Sequence, residues 1–556
     1  MPMMLVVALV TVASFAFAIP TNDPLVFRPS HATAKKNAHH IFNEVHSAAR
    51  QWGSSLNHNG MGFIPAVVAK GTLLHHGTHF KDTPDYPEWL AFEVEHSENF
   101  ANSRRRRSQS DDDDDDDEAQ HAAMDDQETL DANTRRPVEK FRGYLHTYQA
   151  RRDLHLLYLD GLAAAKTQFG TLDSQDYVIR LNATSSPRMG EGARARELCD
   201  KAASWGYDGF IRTEIGFEVI HCNFSDSLDL VSRPRTVVGE DKMTQHKLGV
   251  YHFARAASQR YDGIGAGRVK LDFSSMISGY FFPMNISSQT PGRPDLVRFA
   301  SARTEELDAI RETIGEVAHQ PRRHTVDWQA VADQVITRFA HRFSFLTARD
   351  GVADEIFRDE LESMCLTYYD APPLPDDEEP DWHWVSQEED SERRQREAVE
   401  RCSKHFLLPA LMFKEEFTLW DELLHTAFAE VTHSICETTQ RLWLKLNATM
   451  EETPSHAIDD VAETAVTSQE LRRREDASTL SQAVVEARVA IQALMDELAW
   501  TVWKKKQPCP PDSFLFVAMW PFGTDKDHWE PGCRAVEESL DRESWYGYWA
   551  GVRMRT

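Results

Sequence analysis

The hydrophobic periodicity of this 556-residue chain changes along its length, and that change limits the folds that the chain can adopt. Before about residue 240, short apolar runs alternate with short helical stretches, which is typical of an α/β or α+β domain. Beyond about residue 304, apolar residues recur every three or four positions, as helices packed on one another require. One such stripe is Val484, Ala487, Ile491, Leu494, Leu498 and Val502. We therefore predict an α+β protein, with a mixed α/β domain over residues 19–240 and a mainly helical region over residues 241–556.

Three segments are predicted to lie outside the packed cores. Residues 102–137 contain four consecutive arginines, the aspartate run Asp111–Asp117 and few apolar residues. Such a segment cannot bury enough surface to offset its ordering entropy, so we predict disorder. The arginines suit either a cleavage site for a secretory-pathway protease or a solvated, charge-balanced loop. Residues 370–392 and 451–476 are acidic and contain proline, and we predict exposed loops there.

The first 18 residues predict export from the cell. The apolar run Leu5–Phe17 is too short to span a bilayer comfortably, and Ala16-Phe17-Ala18 has the small-x-small pattern of a signal-peptide cleavage site. No later stretch approaches about 18 consecutive apolar residues, so we expect no membrane span after the signal is removed. Four glycosylation sequons agree with a secreted, extracellular protein: Asn182, Asn223, Asn285 and Asn447.

Net charge limits the possible binding partners, and cysteine content limits the possible disulfides. The net charge of -27 argues against nucleic acid or an anionic membrane, because both repel a polyanion. Seven cysteines in an oxidising compartment would form up to three disulfides and leave one thiol. Proximity in sequence favours the pairs Cys199–Cys222, Cys365–Cys402 and Cys509–Cys533, with Cys436 left over. The chain shows no Cys-x-x-Cys or Cys/His ligand spacing, so we predict no metal site.

Several short motifs carry a resemblance to known proteins. They are Leu-x-His-Gly-Thr at 74–78, Trp-Leu-Ala-Phe at 89–92, Ser-x-x-Phe-Ala at 97–101, Tyr-Leu-His-Thr-Tyr at 144–148 and Asp-Gly-Phe-Ile-Arg at 208–212. In these motifs the chain resembles a family of secreted proteins from filamentous fungi for which no activity is established. The resemblance implies origin and secretion, and it supplies no mechanism.

A second, partial resemblance covers residues 73–222. A strand ending in His-Gly-Thr, followed far downstream by a strand that carries a glutamate, is similar to the ADP-ribosyltransferase fold. The resemblance implies that His76 binds NAD, that Thr78 supplies a supporting hydroxyl and that Phe92 replaces a tyrosine that stacks on nicotinamide. It also implies that Glu218 is the catalytic carboxylate, which stabilises the positive charge that develops on the sugar as nicotinamide leaves.

The nature of the acceptor and the existence of an activity stay open at this point. Gly216 stands where arginine-modifying members of that family carry Glu or Gln, so the resemblance implies NAD hydrolysis or transfer to an unknown acceptor. The alternative is a non-catalytic secreted protein that acts at a cell wall or host surface. The enzyme hypothesis requires His76, Thr78 and Glu218 to line one cleft, with Trp89 or Phe92 on its wall.

Overall fold

The computed structural model describes most of the chain between residues 27 and 535. The described ranges are 27–98, 100–101, 104–106, 139–141, 143–167, 169–181, 191–214, 216–236, 255–257, 262–265, 267–349, 351–371, 387–451, 465–505, 509–518 and 523–535. The predicted signal peptide, Asn182 and most of the 102–137 segment lie outside these residues. Within them, a curled sheet occupies the N-terminal half and helices occupy the C-terminal half, so the predicted α+β class is confirmed.

A ten-stranded sheet forms the centre of the N-terminal half. The strands of the chain are β1 Asn59–Val68, β2 Leu73–Thr78, β3 Glu88–Ala91, β4 Arg104–Arg106, β5 Glu139–Phe141, β6 Tyr144–Ala150, β7 Leu154–Gly161, β8 Gly209–Thr213, β9 Phe217–His221, β10 Leu228–Ser232, β11 Val269–Leu271, β12 Ile277–Ser278, β13 Ser513–Phe516 and β14 Gly532–Ala535. The large sheet has the order β10-β6-β2-β3-β9-β8-β7-β1-β11, and β12 also pairs with β1. Only β7 and β8 are a parallel pair within this described sheet.

The sheet continues past residue 240. The alternating run Val269-Lys270-Leu271-Asp272-Phe273 predicts a strand, and the structure has strand β11 there. Strands β11 and β12 both pair antiparallel with β1. On its other side β1 pairs with β7, whose near-continuous apolar run is buried along almost its whole length. A strand with neighbours on both sides and packing on both faces has this composition because neither of its faces reaches water.

Helices cover the sheet and build the C-terminal half. They are α1 His31–Lys36, α2 Ala38–Ser47, α3 Gln51–Leu56, α4 Val94–Glu98, α5 Glu191–Trp205, α6 Phe224–Ser227, α7 Thr304–Ala318, α8 Trp328–Leu346, α9 Asp354–Cys365, α10 Gln387–His405, α11 Leu408–Leu411, α12 Leu419–Glu451, α13 Ala465–Leu498 and α14 Asp525–Trp529. The long helix α12 packs against α2, α9, α10 and α13. The stripe predicted on α13 is buried from Val484 to Leu498.

One hydrophobic core runs from the sheet into the helices. Asp421, at the start of α12, is fully buried and joins the two parts through hydrogen bonds. Its Oδ1 accepts from Ser274 Oγ at 2.9 Å and from Trp328 Nε1 at 2.8 Å. A buried carboxylate is tolerated where donors replace its lost water, and here those donors come from both halves of the molecule.

Two of the three predicted disulfides are confirmed. Cys199 bonds to Cys222, and Cys509 bonds to Cys533. The predicted Cys365–Cys402 bond is wrong, because Cys402 bonds to Cys436 and Cys365 is a buried free thiol. Cys402 lies on α10 and Cys436 on α12, and the packing of these helices brings their Cα atoms to 5.9 Å. Proximity in sequence does not report which helix faces meet.

The predicted loops are only partly loops. Helix α10 begins at Gln387 and helix α13 begins at Ala465, so the loop prediction is wrong for 387–392 and for 465–476. Residues 372–386 and 452–464 lie outside the described part of the chain. Within the segment predicted to be disordered, Arg104–Arg106 forms a strand that pairs with Glu139–Phe141. Among the described helices, none has the length and apolar composition needed to cross a membrane.

Candidate functional site

A small cavity lies beside β2, β3, β9 and helix α4. Its volume is about 40 Å³, enough for an ion or one to two water molecules. Most of the residues that border it are polar or aromatic, and three are glycine or aliphatic. They are His76, Gly77, Glu88, Trp89, Leu90, Ala91, His96, Ser97, Phe100, Lys166, Arg212, Glu214 and Glu218. The two residues that the enzyme hypothesis needs most, His76 and Glu218, both border this cavity, and so does Trp89.

Sheet register explains why Glu218 lies here. Across β2, β3, β9 and β8 the paired residues are His75, Ala91, Glu218 and Arg212 in turn. Directly paired residues project from the same face of a sheet, and successive residues along a strand project from opposite faces. Glu218 and Arg212 therefore share a face with each other and with His75, and Arg212 lies within bonding distance of the Glu218 carboxylate.

His76 belongs to the opposite face of β2. Its ring centre lies 6.1 Å from that of His146 and 5.9 Å from that of Phe224. Its Nδ1 lies 2.8 Å from the carbonyl oxygen of Trp89, and its Nε2 has no hydrogen-bond partner among the described residues. Burial lowers the pKa of His76 to about 4, so the ring is neutral near pH 7. Strands β2 and β3 pair at a single position, His75 with Ala91, and His76 borders the cavity next to this pair.

Helix α4 closes the cavity on the Glu218 side. A Cβ on Gly77 would lie 1.9 Å from the carbonyl oxygen of Ser97, so only glycine allows the helix to pack directly on β2. Ser97 Oγ donates to the carbonyl oxygen of His75 at 2.7 Å and holds the two elements together. This packing places His96, which is buried, beside Glu218.

Arg212 fixes Glu218 within a buried network. Its Nε and Nη2 donate to Oε1 of Glu218 at 2.8 and 2.6 Å, and its Nη2 also donates to Glu191 Oε2 at 2.7 Å. Its Nη1 donates to Gln175 Oε1 at 2.8 Å. Gln175 belongs to a π-helix over Ser174–Ile179, a geometry that is rare and often marks functional sites. The carboxylate of Glu218 is therefore held in one orientation by a guanidinium that two further residues, Glu191 and Gln175, fix in place.

The network extends beyond Arg212. The guanidinium of Arg194 bonds to the carboxylate of Glu191 and donates through Nε to Asp176 Oδ1 at 3.0 Å. All three side chains are buried. Removing one partner of a buried ion pair lowers the free energy of unfolding by about 3–5 kcal/mol, so we expect substitutions in this network to be strongly destabilising.

A second ion pair lies beside Glu218. Lys166 Nζ donates to Glu214 Oε1 at 2.7 Å, and both side chains are buried. Burial raises the pKa of Glu214 to about 7, with a further rise from the charge of Glu218, while Lys166 acts in the opposite direction. Ligand atoms of His96, Glu214 and Glu218 all lie within 4.8 Å of one another.

Thr78 and Phe92 do not border the cavity. Thr78 Oγ1 accepts from the backbone N–H of Phe80 at 3.2 Å and so fixes the turn after β2. Phe92 lies just beyond the end of β3, on the wall of a separate open groove of about 700 Å³. Arg268 covers its ring at 5.6 Å and pairs with Glu93 at 2.9 Å. The aromatic side chains at the cavity are Trp89 and Phe100 instead.

Sequence reasoning missed several residues of the site. Ser97 and Phe100 lay in a motif that carried the family resemblance, so that motif contained a signal for them. Arg212 also lay in such a motif, and its pairing with Glu218 follows from the β8–β9 register. His96, Lys166 and Glu214 lie in a short helix and in loops, and no sequence pattern pointed to them.

Comparisons with known proteins support an uncharacterised family. Residues 31–246 match the family model described as the YPL277C N-terminal domain. Two similar proteins of Saccharomyces cerevisiae are named only as uncharacterised proteins. YOR389W is 28% identical over 362 residues, which cover 55% of this chain and 57% of the relative. YPL277C is 28% identical over 394 residues, which cover 60% of this chain and 80% of the relative.

These comparisons relate the chain to proteins whose names state no activity. The matched region is 57% of the length of YOR389W, so the chain covers little more than half of that relative. No solved structure matches this chain. The family match ends at residue 246, and it contains the whole cavity from His76 to Glu218.

Proposed function

We propose that this chain is a secreted glycoprotein that cleaves NAD at the bond between nicotinamide and ribose, in the cavity between β2 and β9. The observation that carries the proposal is that His76 and Glu218, 142 positions apart in sequence, border one cavity together with the aromatic rings of Trp89 and Phe100. Convergent polar groups beside aromatic walls are typical of ligand sites.

The chemistry follows from the fixed carboxylate. The C1′–N bond breaks, its electron pair passes to the pyridinium nitrogen, and neutral nicotinamide leaves. The ribose then carries an oxocarbenium-like positive charge, which a preorganised carboxylate at Glu218 stabilises. A water molecule adds to C1′ and releases a proton, which gives ADP-ribose. Gly216 offers no side chain to recruit arginine as acceptor, so water or an unidentified acceptor completes the reaction.

Substrate entry requires movement of side chains. The cavity of about 40 Å³ is much smaller than ordinary ligand pockets of about 300–1,000 Å³. Trp89 and Phe100 are only half-buried, so rotation of these rings would open the cavity towards solvent. Changes of this kind, with little backbone motion, are common when ligands bind.

Secretion and glycosylation belong to the same proposal. Three disulfides suit an oxidising compartment. Asn223 and Asn285 are exposed, as a glycan requires, and Asn447 is half-buried on α12. Asn182 lies outside the described residues, and the sequons at all four positions remain predicted glycan sites.

A second candidate is a non-catalytic secreted interaction protein, and two observations favour it. Glu218 is 5% exposed and bonded to Arg212, as a purely structural carboxylate would be. His76 projects from the opposite face of β2. In this candidate the buried ion pairs set the shape of the sheet, and the surface carries the function.

Incubation of the purified full chain with NAD separates the two candidates. Free nicotinamide is measured by chromatography for the parent, for Glu218→Gln and for Glu437→Gln, a matched change at an exposed glutamate on α12. We expect release by the parent and by Glu437→Gln, and a loss of about 10²–10³-fold in Glu218→Gln. Circular dichroism checks that each variant is folded. Absence of release by the folded parent, with ADP-ribose acceptors such as protein lysates also supplied, leaves the second candidate.

A further inference from the structure

We propose that His96, Glu214 and Glu218 form a binding site for a divalent transition-metal ion such as Zn²⁺. The three residues offer one imidazole nitrogen and two carboxylate oxygens, and these atoms lie within 4.8 Å of one another. Nitrogen and carboxylate donors of this number suit Zn²⁺, with a fourth position open to water. The proposal goes beyond NAD cleavage, because metal binding does not depend on that activity.

Glu214 and Glu218 each form an ion pair through one carboxylate oxygen, which leaves the other oxygen available to coordinate a metal ion. Lys166 donates to Oε1 of Glu214, and Arg212 donates to Oε1 of Glu218. The second oxygen of each carboxylate has no hydrogen bond from these cations. Three carboxylates and two cationic side chains border the cavity: Glu88, Glu214, Glu218, Lys166 and Arg212. The lining thus carries one excess negative charge when all are ionised, which favours entry of a cation.

The imidazole and the cavity also fit a metal ion. His96 is buried beside Glu218, so its imidazole lies within reach of the same ion as the two carboxylates. The adjoining cavity of about 40 Å³ has room for the ion and a bound water molecule. His76, whose Nε2 has no hydrogen-bond partner among the described residues, borders the same space.

The geometry requires only a small adjustment. Zn²⁺ takes nitrogen and oxygen ligands at about 2.0–2.2 Å, which places neighbouring ligand atoms about 3.5 Å apart in a tetrahedron. The present spread of up to 4.8 Å therefore has to shrink by roughly 1 Å. His96 is on the short helix α4 and Glu214 is in the turn between β8 and β9, so small rotations of these side chains bring the ligands together.

Metal binding has a consequence for the proposed reaction, and this consequence alone rests on the proposed function. A bound ion coordinates the Glu218 carboxylate, which is the group that would face the ribose of NAD. Zn²⁺ is then an inhibitor, and it competes with NAD for the same carboxylate. The site would thereby be switched off wherever free Zn²⁺ is high enough to fill it.

Calorimetric titration of the chelator-treated full chain with ZnCl₂ tests the site itself. We expect one ion per chain, and at least a tenfold weaker affinity in His96→Ala and in Glu214→Gln. The control is His433→Ala, because His433 and Glu437 form an exposed pair on α12 at 3.7 Å and represent an adventitious surface site. Circular dichroism confirms that the variants are folded.

Each outcome decides the proposal. Unchanged affinity in both cavity variants, loss of affinity in His433→Ala, or no binding by the parent overturns the metal site. One-to-one binding that the cavity variants weaken supports it, whether or not nicotinamide is released. If nicotinamide is released and Zn²⁺ neither binds nor inhibits, the NAD proposal stands and the metal site falls.

Discussion

The interiors of the two halves of this molecule differ in what they bury. Around the cavity, the sheet half buries a network of charged side chains: Lys166, Asp176, Glu191, Arg194, Arg212, Glu214 and Glu218. Among the described residues of the helical half, the contacts of α8, α12 and α13 are mainly apolar. The buried Asp, Glu, Lys and Arg residues described beyond residue 240 are Asp272, Arg293, Glu306, Arg394, Asp421 and Asp527, and of these only Asp421 lies on one of the three helices. Buried ion pairs are weak contributors to stability, whereas apolar packing contributes reliably. The comparison teaches that both halves share one hydrophobic core, and that the sheet half adds to it a connected network of buried charges beside the cavity.

The same contrast appears in protonation. The carboxyls whose pKa is raised among the described residues are Glu44, Asp160, Asp173 and Glu214, and all four precede residue 240. Burial is the main cause in each case. Stability of the sheet half should therefore depend on pH and on single charges, and stability of the helical half should depend on volume.

Removal of the central guanidinium should have the largest effect. Arg212→Met leaves Glu218 and Glu191 buried without their shared partner, and we expect a loss of about 3–5 kcal/mol in the free energy of unfolding. Urea denaturation measures it. The matched variant in the helical half is Arg394→Met, which is also buried but pairs with the partly exposed Asp390 at 2.7 Å. We expect Arg394→Met to lose about 1 kcal/mol of unfolding free energy. Equal losses in the two variants would contradict the proposed difference between the two halves.

The carboxyl pair Glu44 and Asp160 should give the next effect. Burial raises the pKa of Asp160 to about 7, and burial followed by the charge of Asp160 raises the pKa of Glu44. In the unfolded chain a carboxyl titrates near pH 4. Between about pH 4 and pH 7 the native state therefore binds more protons than the unfolded state, so stability falls as pH rises through this window.

Asp160→Asn tests that pH dependence. The amide cannot ionise and its absence of charge also relieves Glu44, so we expect the slope of unfolding free energy against pH to flatten by up to about 1.4 kcal/mol per pH unit. Urea unfolding at several pH values between 4.5 and 7.5 gives the slope. Asp333→Asn, at a half-exposed aspartate on α8, is the control and should leave the slope as in the parent. Parallel curves for Asp160→Asn and the parent would contradict the assignment.

The smallest effect on stability should come from removal of a single methylene group in the helical half. Ile435 is fully buried on α12, and Ile435→Val should cost about 0.5–1.5 kcal/mol at every pH. Thermal and urea unfolding measure the loss. A strong pH dependence in this variant would show that the two interiors are coupled more closely than their composition indicates.

Sequence patterns predicted the parts of this structure that depend on local periodicity. The α13 stripe from Val484 to Leu498 and the strand at Val269 were found because burial on one face leaves a repeat in the sequence. The glutamate at 218 was singled out through the resemblance to the ADP-ribosyltransferase fold, and the strand predicted around it is found as β9. The Cys402–Cys436 bond was missed because it depends on which faces of α10 and α12 meet, and no local pattern records that.

The candidate site was only partly predictable for the same reason. Glu214 and Lys166 are separated by 48 positions, and they meet because β7 and β8 are adjacent parallel strands, which brings the loop after β7 against the turn after β8. The ADP-ribosyltransferase resemblance implied that Phe92 stacks on nicotinamide, but β3 ends at Ala91 and Phe92 lies on the wall of another groove. Contacts between loops depend on how the strands are arranged in the sheet, so they are the hardest feature to predict from the sequence.

The pairing of β1 with β11 and β12 bears on how this protein can be handled. A fragment ending near residue 246, where the family match ends, would lack both of these strands and leave one side of β1 open. An open strand edge invites pairing with another copy of the same fragment, and aggregation follows. Biochemistry on the N-terminal segment alone would then report the behaviour of a self-associating fragment, so the whole chain is the proper sample for every assay.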